Sequence, residues 1–167
     1  MPRQTSPPPR IWWARPRKLC ALERPGGGGR AHRIDRRTAE VEYLRGRRVR
    51  LVVSVMKTRH NLALYEAVGL DWHHVPVASA EEGVEQLEEL LPFLRRELRR
   101  RGAVALHGDR HTDFVAAVCA AHLHSERGAD PAAALAAAQR AGLTITPAAC
   151  ALLGVEPSDV AALRRAG

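Results

Sequence analysis

Ala103-Val104-Ala105-Leu106-His107-Gly108-Asp109-Arg110-His111-Thr112-Asp113-Phe114-Val115-Ala116-Ala117 reads as an apolar strand, a tight turn holding Gly108, and the first turns of an apolar helix. A buried strand that feeds a helix N-terminus through such a turn aims several backbone N–H groups at one spot, which favours an anion there. The candidate ligand-binding residues are therefore those of the turn: His107, Gly108, Asp109, Arg110, His111 and Thr112.

Working outward, strands and helices alternate. Asp35 is placed to cap a helix carrying Ala39, Val41, Tyr43 and Leu44 and stopped at Gly46. Val49 to Met56 becomes fully apolar, as a buried strand does, and a short helix from Asn61 to Val68 ends at Gly69. Trp72 to Val77 is a further strand, with His73 and His74 on opposite faces. Glu81 to Arg101 spaces Val84, Leu87, Leu90, Leu91, Leu94 and Leu98 at a helical period, with acids early, arginines late and a bend expected at Pro92. Beyond the Thr112 to Leu123 helix, Asp130-Pro131 opens a helix that ends at Gly142, and Pro147 to Leu153 forms a last short one. Strands alternating with helices imply an α/β three-layer sandwich with a central, largely parallel sheet, and such sheets collect ligands at the carboxyl ends of their strands. That is where 107–112 falls.

The length of 167 residues suits one domain. Residues 1–10, with three consecutive prolines, are expected as a disordered tail, residues 11–155 as the single folded domain, and 156–167 as a polar C-terminal tail. Pro25 to Gly29 reads as a flexible loop; it lacks the Gly-Lys-Ser/Thr ending of a P-loop. Cys20, Cys119 and Cys150 are odd in number and widely spaced, which argues against a disulfide framework or a zinc ribbon and suits a reducing, cytoplasmic setting. Cys119 and Cys150, set among alanines, read as small buried hydrophobes. No run approaches the roughly 18 apolar residues of a membrane span, and no hydrophobic signal core opens the chain. The net charge of +8 raises nucleic acid as a partner. However, Lys18 and Lys57 are the only lysines, aromatics are few, and the abundance of Ala, Arg, Gly and Pro reads as compositional bias, so nucleic-acid binding is not expected.

The order of segments resembles the dual-specificity branch of the cysteine-dependent protein tyrosine phosphatases. The resemblance rests on Trp13 to Leu22 as the opening strand segment, Arg50-Leu51-Val52-Val53-Ser54-Val55 after a helix, Gly69 to Ala78 before an acid loop, and Leu106-His107 entering an Ala-rich helix. It implies a phosphatase-like domain and a loop of the form H-C-x-x-x-x-x-R-[ST], in which a thiolate attacks phosphorus while amides and an arginine hold the phosphate oxygens. Matched from His107 to Thr112, the loop is three residues shorter, with Gly108 at the nucleophile position and His111 at the arginine position. Where the resemblance implies a proton-donating Asp the chain has Ser79, followed by Ala80, with Glu81 and Glu82 nearby.

The expectation is thus a catalytically inactive phosphatase-like domain, a pseudophosphatase, with no catalytic residue, metal or cofactor, that binds phosphate or a phosphorylated protein through 106–114. Two alternatives stand beside it. One is an unorthodox phosphohydrolase built on the alternating His107, Asp109, His111 and Asp113, whose Gly108-Asp109-Arg110-His111 resembles the G-D-x-H element of metal-dependent phosphoesterases. The other is a basic scaffold or nucleic-acid-binding protein. His122 and His124, two apart on one helix, do not share a face.

Overall fold

A computed structural model describes residues 5–27 and 34–167. Five strands form one sheet: β1 (Ile11–Arg15), β2 (Leu19–Glu23), β3 (Val49–Ser54), β4 (Asp71–His74) and β5 (Ala103–Gly108), in the order β1-β2-β5-β3-β4. Four of them, β2, β5, β3 and β4, are parallel, and only β1 pairs antiparallel, with β2. The helices are α1 (Ile34–Gly46), α2 (Leu62–Ala67), α3 (Val84–Glu97), α4 (Asp113–Arg127), α5 (Pro131–Arg140), α6 (Pro147–Leu152) and α7 (Pro157–Ala166), with a single 3₁₀ turn at Ala80–Glu82.

Strand alternation sorts the sheet's side chains into two cores. Val104 and Leu106 of β5, Leu19 and Ala21 of β2, and Leu51 and Val53 of β3 face α3 to α7. Ala103 and Ala105, Cys20 and Leu22, and Val49 and Val52 face α1 and α2, where Val41, Leu44, Leu62 and Tyr65 cover them. A register shift between Val49 and Leu51 brings β3 into step with β5. Every residue of α4 from Asp113 to His122 is buried, so this part of the helix is enclosed on all sides, and its alanines let neighbours approach closely. The three-layer, largely parallel expectation holds, and the position of His107 follows from it. Counting from Ala103 and Ala105, its side chain must emerge on the α1/α2 face, while Gly108 faces α4.

Several boundaries differ from the sequence reading. The opening segment is a hairpin, because Arg17 turns the chain with φ 61 between β1 and β2. Strand β4 stops at His74, ahead of Pro76, which has no N–H to give a ladder. Helix α3 ends at Glu97, leaving Arg99 to Arg101 in a turn; Pro92 sits within it on an exposed position, as does Glu88, whose carbonyl loses its donor. Within the expected C-terminal tail, Pro157–Ala166 form α7, which starts with Pro157 in its first turn, buries Val160 and is tied to α5 by Arg140 donating to the Leu163 carbonyl. In the N-terminal segment, Pro8 is buried and the Ser6 amide donates to the Ala39 carbonyl at 3.4 Å; residues 1–4 lie outside the described residues. The glycine loop is described only to Gly27, where Gly26, at φ 79, donates its amide to buried Glu40 at 2.9 Å. All three cysteines are buried and free. Among the described residues, no helix is long and apolar enough to cross a membrane.

Candidate functional site

A cleft of about 240 Å³ lies at the carboxyl end of the sheet, between the segments following β3 (Val55 to Thr58) and β4 (Val77 to Ala80) and the turn from Gly108 to Phe114. Its polar groups are Lys57, Thr58, Ser79, Asp109, His111 and Asp113. Of the six residues expected to bind a ligand, Gly108, Asp109 and His111 line it, whereas His107, Arg110 and Thr112 do not.

His107 is wholly buried on the far face of the sheet. Its Nδ1 lies 3.0 Å from the Gly108 carbonyl, which can only accept, so Nδ1 carries the proton. Nε2, 2.9 Å from the Tyr65 hydroxyl, must then be the acceptor of that O–H. Burial lowers the imidazole's pKa from 6.5 to about 4 against the opposing pull of the Gly108 carbonyl, while Tyr65 is pushed upward by its own burial. His107 is thus a neutral strut that fixes the start of the loop. Replacing Tyr65 with Phe leaves Nε2 without its donor, and we expect a loss of about 1–3 kcal/mol, read as a fall of roughly 2–10 °C in thermal midpoint.

Thr112 is committed elsewhere: its Oγ1 accepts the Thr144 amide at 2.9 Å. Asp113 is buried, with Oδ1 accepting the Phe114 amide at 2.9 Å and Oδ2 accepting the Thr146 hydroxyl at 2.8 Å. The protein's own carboxylate therefore occupies part of the positive end of α4. Asp109 pairs with Arg24, its Oδ1 2.7 Å from Nε. The segment carrying Arg24 is held in turn by Gly26 on Glu40 and by Asn61 Nδ2 donating to the Pro25 carbonyl at 3.0 Å. Arg110 is exposed and stands outside the cleft. The alternating set His107, Asp109, His111 and Asp113 does not gather, because three of its members turn to Tyr65, Arg24 and Thr146.

Gly108 carries the decisive contact. A Cβ built there would stand 2.5 Å from the His111 carbonyl oxygen. The short loop folds its own backbone into the volume that a side chain at 108 would need. No cysteine lines the cleft; burial raises the pKa of Cys20, Cys119 and Cys150 alike, away from the thiolate form. At the acid-loop position, Ser79 and Ala80 line the cleft, while Glu81 and Glu82 are exposed on the 3₁₀ turn and outside it. Other histidines have structural partners: His74 Nε2 donates to the Met56 carbonyl at 2.7 Å, and His73 stacks on Phe93 with centroids 4.3 Å apart.

Lys57 and Thr58 were missed as candidates. They directly follow an apolar strand in a parallel sheet, and the rule that ligands gather at carboxyl ends was the signal that could have found them.

Neither a family model nor a curated protein sequence matches the chain. Solved structures do. Human DUSP28 superposes with a TM-score of 0.65 at 23% identity, over 96% of this chain and 99% of that one. A mouse putative dual specificity phosphatase complexed with zinc tungstate gives 0.67 at 20% identity, over 96% and 92%. A variant of P. aeruginosa TpbA in complex with phosphotyrosine gives 0.65 at 21%, over 90% and 85%. The chain has the fold of the dual-specificity protein phosphatases.

Proposed function

We propose that this is a pseudophosphatase: a domain of dual-specificity phosphatase fold without thiol-based turnover, which works by binding a phosphorylated side chain of a partner protein. The observation that carries the first half is the His111 carbonyl against Gly108, since the loop has neither a thiol nor the room for a side chain at that position. The second half is supported by the cleft's position at the strand ends and by Lys57 and His111 on its walls. The amides of Asp109, Arg110 and His111 also have no acceptor among the described residues. Asp109 is offset by Arg24, which leaves Lys57 and His111 to meet the phosphate. The likeness to a TpbA variant solved with phosphotyrosine is consistent with that ligand class. A hydrolase built on His111 is less well supported, because no described side chain orients that imidazole and the neighbouring carboxylates are already engaged.

The test is thermal unfolding with added O-phospho-L-tyrosine. A millimolar site stabilises by about 2 kcal/mol at roughly twentyfold excess over its Kd, a rise of several degrees. Lys57→Ala should abolish that rise. No rise in the unaltered protein up to concentrations on the order of 0.1 M would remove the recognition half of the proposal.

A further inference from the structure

The opposite end of the sheet carries a second site of different chemistry. Three turns meet there: the β1–β2 turn with Arg17 and Lys18, the α1–β3 turn with Arg47 and Arg48, and the α3–β5 turn from Arg99 to Gly102. They are laced together, since Lys18 Nζ donates to the Arg100 carbonyl at 3.2 Å and the Ala103 and Val104 amides donate to Arg48 and Lys18 carbonyls, each at 2.9 Å. Arg17, Lys18, Arg47, Arg48 and two glycines line one open cleft of about 520 Å³, and no carboxylate lines it. The nearest acids are spent: Glu97 pairs with Arg50 at 3.1 Å and Arg100 at 3.3 Å, and Glu42 pairs with Arg45 at 3.1 Å. Among the described residues, Arg17, Arg47, Arg48, Arg99 and Arg101 have no ion-pair partner.

Six of the 24 arginines, at 17, 47, 48, 99, 100 and 101, fall in these three short turns, which the sheet's topology brings together. Two of the arginines, Arg17 and Arg48, both at φ 61, hold the left-handed conformation that glycine adopts without strain. Unpaired like charges held side by side in these turns repel one another, and an anionic ligand would relieve that repulsion. Arginine's planar fork pairs bidentately with phosphate.

We infer that this end of the sheet binds the phosphodiester backbone of a nucleic-acid duplex. A bilayer is a poorer fit because, among the described residues, the exposed large apolar ones are Ile34 and Val84, which open α1 and α3 at the ends opposite these turns, and Leu163 on α7, and none lines the cleft as an anchor. A single strand is a poorer fit because, among the described residues, no aromatic lines this cleft, and nearby Tyr43 lies under the Arg47 guanidinium, 5.2 Å from its ring centroid. Contacts confined to phosphates make the binding independent of sequence and steep in salt.

The test is fluorescence anisotropy with a labelled DNA duplex of about 20 base pairs across a salt series. Arg17→Gly with Arg48→Gly removes two charges while placing glycine where φ favours it, so the fold is retained or strengthened. That pair should weaken binding by about tenfold or more and flatten the slope of log affinity against log salt by about 2. Arg47→Ser with Arg101→Ser should act likewise without touching the turn conformation. Arg164→Ser with Arg165→Ser, an equal charge loss on α7, should leave affinity within about threefold. Equal weakening by all three pairs would reduce the effect to net charge and overturn the proposal. So would preference for phosphatidylserine vesicles or a single-stranded oligonucleotide over the duplex, or no duplex binding at low salt.

Discussion

Placing cysteine at position 108 should lower the thermal midpoint by about 3–10 °C and restore no phosphate release. The residue is buried, and a Cβ there meets a backbone carbonyl at 2.5 Å, an atom that cannot rotate away as a flexible side chain would. The loop must therefore open, breaking the order set by His107 on Tyr65 and by Thr112 on the Thr144 amide. Even if the sulfur were accommodated, the positive end of α4 is partly met by Asp113, so it lowers the pKa of a thiol at 108 less than an open helix N-terminus would. The measurement pairs calorimetric unfolding with a p-nitrophenyl phosphate assay of Gly108→Cys. Turnover from that single substitution would mean that the loop relaxes freely and that its shortness does not bar a nucleophile at 108.

Stability should fall by about 3 kcal/mol as pH drops from 6.5 to about 4, because His107 stays neutral in the fold while the unfolded chain takes up a proton. A depressed folded-state pKa gives stability that is complete above the ordinary value, is lost progressively as pH falls, and stops changing once the folded imidazole is protonated as well. His122 adds to the same window, its pKa lowered by burial and then by the Arg15 charge. Glu97 contributes only at more acid pH. Its burial raises the carboxyl, but bonding to Arg50 and the Arg50 and Arg100 charges lower it on balance from 4.5, so its stabilisation is lost only as pH falls below that value. Urea titrations at stepped pH should show the loss, and His107→Gln should flatten most of it. A pH-independent midpoint across that window would mean that His107 is solvated rather than sealed.

The layer architecture was legible because alternation and helical periodicity are local. Leu87, Leu90 and Leu94 point one way whatever they pack against, and the apolar β5 strand has to be enclosed. The hairpin was missed because Arg17 makes its turn in a conformation usually marked by Gly or Asn. Helix α7 was missed because it is short and buries only Val160, and its docking on α5 through Val160 and Arg140 depends on tertiary contact. At the site, the missing sulfur could be read from Gly108 alone. The direction of His107 could not, since it needs the count along β5 and the presence of Tyr65 across the sheet. Likewise Asp113 and Thr112 looked available in sequence, and only the folded 144–146 segment shows what they bind. The basic cleft was invisible for a similar reason: its arginines come from three separate turns.

The most direct test of the central claim is orthophosphate release from a phosphotyrosine peptide by purified protein over about pH 5 to 8, with and without a chelator. The loop closed over Gly108 predicts none above the uncatalysed blank. Release that persists under chelation and vanishes on substituting Cys20, Cys119 or Cys150 would contradict it.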